Sequence, residues 1–331
     1  MGENMTKTFI VDANGAGDFS TIQEVLALPE EKLTIILKPG IYSGQIFSTK
    51  KYLCIKGENP ETTVITGSIG AKQPFSDGNI TGTFRTYTAY FSGQAVHLEN
   101  LTIENTAGQG SIAGQAIALY ASASFVYCKN LILSGFQDTL FTGPLPEKEK
   151  IPGGFRGPEE NLPRRKSIQY YENCHISGTV DYIFGSADVL FKNCTLSVHD
   201  TQTECYITAP STPSNGTGYI FDSCKIQKAE DYNIQQHKNV YLGRPWRKYA
   251  KCCWINCDFG EIICQQAWDN WNDAENEKTS CFSVFNNKWL HSEEAGKGKF
   301  GKVLTSQQAD EILKISETIR QSVLNSCSKE A

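Results

Sequence analysis

The sequence has no long apolar run and no concentration of charge of one sign. None of its apolar segments approaches the ~18 residues needed to cross a bilayer, so we predict no transmembrane helix and no membrane partner. The charged residues, 31 basic and 36 acidic, give a net charge of −5 and form no block of one sign. A nucleic-acid-binding face needs clustered basic residues, so we also predict no nucleic-acid partner.

The N-terminal segment lacks the apolar stretch of a signal peptide. It begins MGENMTKTFIVDANG, in which the longest apolar run is Phe9–Val11, far too short for the apolar region of a signal peptide. On this basis we predict a cytoplasmic protein, or a secreted one if a leader is missing from the sequence. The twelve cysteines would suggest disulfides in a short secreted chain, but their spacing here follows a repeat instead.

Motifs for common hydrolases and for metal sites are absent as well. No G-x-S-x-G sequence occurs, so a serine esterase of the usual α/β type is not supported. No C-x-x-C pair occurs, and the five histidines are scattered along the chain. We therefore predict neither a structural metal nor a cofactor.

A short pattern recurs six times along the chain. Each copy has an apolar residue, a variable one, Asn or Ser, then Leu or Cys, a variable residue and another apolar one. The copies are LENLTI (98–103), CKNLIL (128–133), YENCHI (171–176), FKNCTL (191–196), FDSCKI (221–226) and WINCDF (254–259). Successive Asn/Ser positions are 30, 43, 20, 30 and 33 residues apart.

This spacing predicts a stacked solenoid of β-strands. A unit of 20 to 33 residues that contains an alternating strand cannot bury its own apolar face, and its neighbours bury it instead. The predicted fold is all-β: a single-stranded, right-handed parallel β-helix. In such a stack, we expect the repeated Asn residues to be buried and bonded between coils, and the Cys residues to fill space as small hydrophobic groups.

Both ends of the chain predict helices. STIQEVLAL (20–28) places Ser20 three residues before Gln23, a capping-box pattern, and Thr305 and Gln308 repeat it before a long amphipathic segment. We predict helices at about 20–28 and 305–325 that cover the open ends of the coils. The whole chain, 1–331, is then one domain.

Two acids and an amide are spaced by about one coil each. Residues 143–166 are rich in proline and glycine and include ten charged residues among 24, which predicts a long solvated loop. Asp138 and Asp181 are 43 residues apart, and without the loop the separation is 19. Gln115 precedes Asp138 by 23 residues. We expect these three side chains to line up on adjacent coils, with the loop forming a wall beside them.

Four segments resemble, in order, the signature segments of pectin methylesterases, also called pectinesterases. They are GQAIALY (114–120), GFQDTLF (135–141), VDYIFGSA (180–187) and YLGRPWRKY (241–249). The resemblance extends from about Phe9 to Thr305. Three features depart from the family pattern: Gly44 replaces a Glu, Tyr182 replaces a Phe, and the 143–166 loop is longer than in most members.

The resemblance implies an aspartyl esterase that hydrolyses methyl esters of galacturonate units in pectin or methylated oligogalacturonides. Asp181 is then the nucleophile, and Asp138 is the general acid and base. Gln115 and Gln137 form the oxyanion hole, and Arg244 orients Asp181 and binds substrate. The implied sugar-contacting residues are Trp246, Tyr182, Phe184, Trp271 and Thr83. We expect the protein to be a monomer.

Other functions on the same fold stay open. A glycoside hydrolase or a polysaccharide lyase also uses acids in a cleft, although a lyase typically needs an acidic calcium site and a hydrolase needs a set distance between carboxyl groups. A non-catalytic carbohydrate-binding solenoid would need the tryptophans but not both acids. The amides and the arginine beside Asp138 and Asp181 favour the esterase.

Overall fold

The computed structural model of the protein describes residues 6–233, 239–292 and 298–328. Within these residues, parallel strands stack into three sheets, and each of the central coils contributes one strand to each sheet in turn. Neighbouring strands pair in parallel and, apart from one shift in the sheet that carries Asp181, in register, as β-helical stacking requires. The predicted parallel β-helix is confirmed.

The strands are numbered in chain order and grouped by sheet. In the described part of the chain, sheet A has eleven strands. They are β1 (Lys7–Val11), β2 (Lys32–Leu37), β5 (Tyr52–Gly57), β8 (Ala95–Glu99), β11 (Phe125–Lys129), β14 (Ile168–Glu172), β17 (Asp188–Lys192), β20 (Tyr219–Asp222), β23 (Lys251–Ile255), β24 (Cys281–Phe285) and β25 (Lys302–Val303).

Sheets B and C have seven strands each within the same residues. Sheet B contains β3 (Gly40–Ser43), β6 (Thr63–Gly67), β9 (Thr102–Asn105), β12 (Ile132–Ser134), β15 (His175–Gly178), β18 (Thr195–Val198) and β21 (Lys225–Lys228). Sheet C contains β4 (Ile46–Ser48), β7 (Ala89–Phe91), β10 (Leu119–Ala121), β13 (Leu140–Thr142), β16 (Val180–Gly185), β19 (Cys205–Pro210) and β22 (Val240–Gly243). The helices are α1 (Ile22–Leu26), α2 (Gly110–Ala113), α3 (Ala274–Thr279) and α4 (Ser306–Ser328), with one 3-10 turn at Thr83–Arg85.

The repeated Asn residues form the corner between sheets A and B. Asn100, Asn130, Asn173, Asn193 and Asn256 all have φ between 52° and 57°, in the left-handed region. Asn tolerates this conformation better than most residues, which explains its recurrence at one position of each coil. The prediction that these residues are buried is wrong, because the corner leaves them partly or fully exposed. Bonding between coils does occur, as Asn130 Nδ2 donates to Asn100 Oδ1 at 3.0 Å.

The cysteine that follows several of these corners points into the core. Cys174, Cys194, Cys224 and Cys257 are buried on successive coils, and each thiol donates to a backbone carbonyl of the preceding coil at 3.4–3.5 Å. All twelve cysteines lie within the described residues and are free thiols. The ten buried ones fill interior space, as a small hydrophobic residue does.

The two terminal helices differ from the prediction in position. Thr21 and Glu24, not Ser20 and Gln23, form the capping box of α1, and this helix buries Ile22 and Val25. At the other end, Thr305 and Gln308 bond reciprocally before α4. Helix α4 does not cover an open coil end, because its apolar side lies across the outer face of sheet A, where Ile319, Val323 and Cys327 pack on a row of aromatic residues.

The 143–166 loop is not a simple solvated insertion. It contains many charged exposed residues, but Leu145, Phe155 and Glu159 are buried. Leu145 and Phe155 join an aromatic cluster on the outer face of sheet C. Arg164 ties the loop together by donating to the carbonyls of Glu159 at 2.7 Å and of Pro146 at 3.1 Å. The loop therefore covers part of sheet C.

Candidate active site

Asp138 and Asp181 lie on adjacent coils of sheet C, as their spacing predicted. Asp138 stands just before β13, and Asp181 is the second residue of β16, the neighbouring strand. The Asp138 amide donates to the Val180 carbonyl at 3.1 Å, which joins the two segments directly. Both acids have a left-handed backbone, with φ of 66° and 51°.

The left-handed conformation of Asp181 comes with an irregularity in its strand. The register between β16 and β19 shifts between Val180 and Ile183, as in a β-bulge. A bulge re-aims a side chain and is common beside active sites. The strand can thus hold a carboxylate at a fixed place while Tyr182, the next residue, turns into the core.

Arg244 holds the Asp181 carboxylate through two hydrogen bonds. Its Nε donates to Oδ1 at 2.8 Å and its Nη2 donates to Oδ2 at 2.7 Å. The guanidinium group lies between two aromatic rings, 3.7 Å from the Tyr206 centroid and 3.8 Å from that of Trp271. Because Arg244 follows β22, two strands away from β16, this contact spans three strands of sheet C. Stacking and bidentate bonding fix the orientation of Asp181.

The two acids differ in how readily they ionise. Burial raises the pKa of Asp138 well above its ordinary value, and the nearby Asp181 carboxylate raises it further. Burial also raises the pKa of Asp181, but Arg244 opposes this through its charge and its hydrogen bonds. When the pair carries one proton, we therefore expect the proton on Asp138 and the charge on Asp181.

The two predicted oxyanion-hole amides lie one above the other. The Ala116 amide donates to the Gln137 carbonyl at 3.0 Å, which fixes the coil of Gln115 against that of Gln137. Both side chains are partly exposed, and the neighbouring Gln137 side chain acts to lower the pKa of the Asp138 carboxyl. Amide N–H groups thus stand on the same edge of sheet C as the two acids.

A cleft of about 520 Å³ opens beside the acids. Its lining includes Gln137, Val180 and Arg244. It also includes Tyr206 of β19 and the residues just before that strand, Gln202, Thr203 and Glu204. A cleft of this size holds a small ligand or part of a longer chain.

The predicted sugar-contacting residues occupy different environments. Trp246 and Trp271 are partly exposed, and Phe184 is buried against the Trp246 ring at 5.7 Å between centroids. Thr83 is the first residue of the 3-10 turn and is partly exposed, next to the buried Phe84. Tyr182 is fully buried in the core of the β-helix, which does not fit a direct contact with substrate. The alternation of side chains along β16 explains this, since Asp181 and Tyr182 point in opposite directions.

Three residues beside Arg244 were not expected from the sequence. Tyr206 stacks on Arg244, and its hydroxyl donates to Glu204 Oε2 at 2.8 Å. Asp269 accepts from the Trp271 amide at 2.7 Å, and its charge raises the pKa of Asp181. Tyr206 lies one coil after Val180 and pairs with it, so the coil spacing could have indicated that Tyr206 lies near Asp181. No sequence pattern indicated Asp269.

The described residues contain neither a cluster of metal-binding side chains nor a membrane-spanning helix. Across residues 6–233, 239–292 and 298–328, no group of three or more His, Cys, Asp or Glu side chains is arranged to hold a metal ion. None of the helices in those segments is long and apolar enough to cross a membrane.

The chain is similar to several plant proteins and solved structures. It is 30% identical over 318 residues to "Probable pectinesterase/pectinesterase inhibitor 21" of Arabidopsis thaliana, covering 93% of this chain and 43% of that protein. It is 30% identical over 289 residues to "Pectinesterase 31" of the same plant, covering 84% and 81% of the two chains. The chain thus spans less than half the length of the first of these relatives.

Solved structures show the same fold. The pectin methylesterase from carrot superposes with a TM-score of 0.77 at 25% identity, over 91% of this chain and 89% of that one. The pectin methylesterase PemA from Erwinia chrysanthemi has a TM-score of 0.70 at 23% identity, over 94% and 95%, which is a likeness of fold.

The relatives correct the predicted compartment. The homologues are plant cell-wall pectinesterases, which are secreted, so the prediction of a cytoplasmic protein is wrong. It depended only on the composition of the first residues, and that segment is a poor guide to the compartment.

The pectinesterase family model matches residues 8–145 and 154–319, and the gap in the match falls inside the long loop. The matched segments contain Gln115, Asp138, Asp181 and Arg244, whose side chains come together at one edge of sheet C. Together with the 30% identity over nearly the whole chain, this match shows that the chain belongs to the pectinesterase family.

Proposed function

We propose that this protein hydrolyses methyl esters of galacturonate units in pectin or pectic oligosaccharides and releases methanol. The observation that carries the proposal is the pair of acids: Asp181 is held by two hydrogen bonds from Arg244, beside a buried Asp138 whose pKa is raised. Family membership and the likeness to the carrot pectin methylesterase support the same reaction.

In the first half of the reaction, the Asp181 carboxylate attacks the ester carbonyl carbon. The carbonyl oxygen becomes negative, and the amide N–H groups of Gln115 and Gln137 donate to it. Asp138 gives its proton to the methoxy oxygen as the C–O bond breaks, so methanol leaves as a neutral molecule. An acyl-enzyme, the mixed anhydride of Asp181 and the galacturonate carboxyl, is left behind.

In the second half, water hydrolyses that anhydride. Asp138, now ionised, takes a proton from the water, and the resulting hydroxide attacks the galacturonate carbonyl. The bond to Asp181 breaks, and the Asp181 carboxylate leaves to re-form its contacts with Arg244. The products are a galacturonic acid unit, whose new carboxyl group loses its proton to the solvent, and the enzyme with a proton again on Asp138.

The electrostatics suit this division of roles. A nucleophile must be ionised, and Arg244 opposes the effect of burial on Asp181. A general acid must hold its proton at working pH, and burial together with the Asp181 charge does this for Asp138. Trp246 and Trp271 offer apolar ring faces on which the C–H faces of sugar rings can rest.

A pH-stat experiment on methylated pectin tests the proposal, with methanol measured in parallel. Equal release of acid and methanol, with no change in chain length, is the expected result. New reducing ends would indicate a glycoside hydrolase, and unsaturated ends that absorb in the ultraviolet would indicate a lyase. Binding to pectin without any release would indicate a carbohydrate-binding solenoid.

We further propose that the catalytic unit is a single domain that acts as a monomer. All three apolar clusters in the described residues are covered by elements of the same chain. Light scattering at several protein concentrations tests this proposal, and a mass of twice 36.7 kDa would contradict it.

A further inference from the structure

The segment between β9 and β10, residues 106–114, is tied down at both ends and is called the strap below. At its start, the buried side chain of Asn105 donates from Nδ2 to the Ile117 carbonyl at 3.1 Å. At its end, the Lys72 amide donates to the Ala113 carbonyl at 3.1 Å. The four-residue helix α2 lies between these two anchors. The surrounding coils therefore set the position of the strap.

A side-chain bridge joins the strap to a more distant coil. Gln109 Nε2 donates to the Asp200 carbonyl at 2.9 Å. Asp200 follows β18, and the strands β12 and β15 lie between β9 and β18 in sheet B. Two residues after Asp200, Gln202 lines the cleft. The strap thus reaches from the coil that precedes Gln115 to the segment at the far side of the cleft.

Gly110, the first residue of α2, lies against the Gln137 side chain with no space for a side chain of its own. A Cβ atom at position 110 would overlap Gln137 Oε1 and would stand only 3.0 Å from Gln137 Cβ. The oxygen of the Gln137 amide therefore faces the strap, and its N–H groups are directed away from it. The same side chain acts on the Asp138 carboxyl. The strap backbone thus turns the amide donors toward the acids.

Backbone conformation does not explain why position 110 is a glycine. Gly108 and Gly114 have φ of 96° and 76°, in the region that favours glycine, whereas Gly110 has a helical backbone that any residue adopts. Alanine at this position would favour the helix. The group that excludes a side chain is Gln137, and the end of a Gln side chain can move aside. We therefore expect a substitution at Gly110 to keep the fold and to displace the amide.

We propose that Gly110 is a positioning residue of the oxyanion hole, because its missing side chain lets the strap hold the Gln137 amide in place. This inference rests on the proposed esterase function. A donor that is oriented before the reaction stabilises the developing negative charge without first having to reorganise. Gln115, the second donor, directly follows the strap, and its carbonyl accepts from the Ala71 amide at 2.9 Å. One segment therefore fixes both donors relative to each other.

The test compares Gly110→Ala with Ser111→Ala, the matched control at the next and exposed position of α2. The readouts are kcat and KM for methanol release from methylated pectin, and the melting temperature. Gly110→Ala should lower kcat about 10- to 100-fold with KM little changed, because a catalytic group displaced by about 1 Å can cost about 10²-fold. Its melting temperature should not fall, since alanine favours a helix. Ser111→Ala should change neither kinetic constant.

A double-mutant cycle shows whether Gly110 acts through the Gln137 amide. Gln137→Ala alone should lower kcat about 10²–10³-fold, as the loss of one oxyanion donor does. Gly110→Ala added to Gln137→Ala should lower kcat no further, because the group that it displaces is already gone. Gln109→Ala removes the bridge to Asp200 and should lower kcat several-fold in the wild-type background, with no effect in the Gln137→Ala background.

Three results in an active enzyme would overturn the inference. The first is a wild-type kcat for Gly110→Ala, and the second is an equal loss of kcat from this change in both backgrounds. The third is a Gly110→Ala, Gln137→Ala double variant that does not fold, because the glycine would then be needed for packing alone. If only the single Gly110→Ala variant fails to fold, the Gln109→Ala pair decides. A wild type that releases no methanol would overturn the proposed function, and this inference with it.

Discussion

Sheets A and C both carry a row of aromatic rings on the outside of the β-helix, and each row is covered by an added segment. On sheet A, Tyr127 and Tyr170 stack in register at 5.4 Å, and the regular helix α4 lies over them. On sheet C, the row consists of Tyr90, Tyr120, Phe141 and Phe184, and the irregular 143–166 loop lies over it. The same problem, an exposed apolar face, has two different solutions.

The difference lies in what each cover leaves open. Helix α4 presents apolar side chains such as Ile319 and Val323 at regular spacing and seals its face evenly. The loop buries Phe155 and Glu159 but leaves Trp246 partly exposed next to the acids. A regular helix covers the whole sheet face, whereas an irregular loop can cover only part of it and leave a cleft beside its edge.

The largest expected effect is on kcat, and it should occur for a substitution on sheet C but not for one on sheet A. Asp181→Asn on sheet C should lower kcat by about 10⁴-fold or more, because an amide cannot form the acyl intermediate. The matched change on sheet A is Glu172→Gln, which removes an acid bonded to Tyr127 and should leave kcat unchanged. Circular dichroism should show that both variants are folded. Turnover of Asp181→Asn within a few-fold of wild type would contradict its role as nucleophile.

The second largest expected effect on kcat comes from removing a donor of the oxyanion hole. Gln115→Ala should lower kcat by about 10²–10³-fold, the usual effect of one lost donor, with KM little changed. Steady-state kinetics on one pectin preparation measures both constants. If only KM changes, Gln115 contacts the sugar instead of the developing oxyanion.

Truncating one buried side chain in α4 and one in the 143–166 loop compares what these two segments contribute to stability and to activity. Ile319→Ala under α4 should lower the free energy of unfolding by about 2–5 kcal/mol without changing kcat/KM of the folded enzyme. Phe155→Ala should lower it by about 3 kcal/mol and also lower kcat/KM several-fold, because the Trp246 ring packs on Phe155 at 6.4 Å. Urea unfolding and initial rates measure the two quantities. Equal effects of both variants on kcat/KM would remove the functional distinction between the covers.

A smaller effect concerns the buried acid of the loop. Glu159 accepts hydrogen bonds from Tyr90 at 3.2 Å and Tyr120 at 3.4 Å, yet burial raises its pKa, while Arg164 acts in the opposite direction. A raised folded-state pKa means that the group stabilises the fold most at low pH and that this stability is lost as pH rises through that pKa.

Glu159→Gln removes this dependence. Its melting temperature relative to wild type should therefore rise with pH from about the ordinary pKa of Glu upward, by roughly 1–3 °C in total. Thermal melts at a series of pH values measure the difference. A difference that is constant with pH would mean that Glu159 does not titrate in this range.

The last prediction is that a reducing agent has no effect on stability. All twelve cysteines are free, and ten of them are buried, so a reducing agent should leave the melting temperature unchanged. A fall of several degrees would reveal a disulfide and contradict the interior packing of the thiols.

The sequence predicted the features that depend on coil spacing. Asp138 and Asp181 occupy neighbouring coils, because residues one coil apart must pair in a parallel stack. Helix α4 followed from its periodic apolar positions. Both arise from local patterns that repeat along the chain.

Features that depend on tertiary contacts were beyond the sequence. The charged composition of the loop predicted solvation, but Phe155 and Glu159 find partners on strands far away in sequence. Tyr182 was placed beside the substrate, although the alternation of β16 turns it inward. The exposure of the Asn corners depends on their left-handed backbone, which a pattern of residue types does not specify.

The in-register pairing of β13 with β16 fixes the distance between the two catalytic acids at one coil spacing. The chain between these strands leaves the stack at the end of β13 and returns at β14, so its length does not enter the distance between Asp138 and Asp181. That distance depends on the strand spacing, about 4.8 Å. Segments of different length or charge can therefore be exchanged at this corner without moving the acids. In evolutionary terms, substrate preference and bond-breaking chemistry can change independently of each other in this fold.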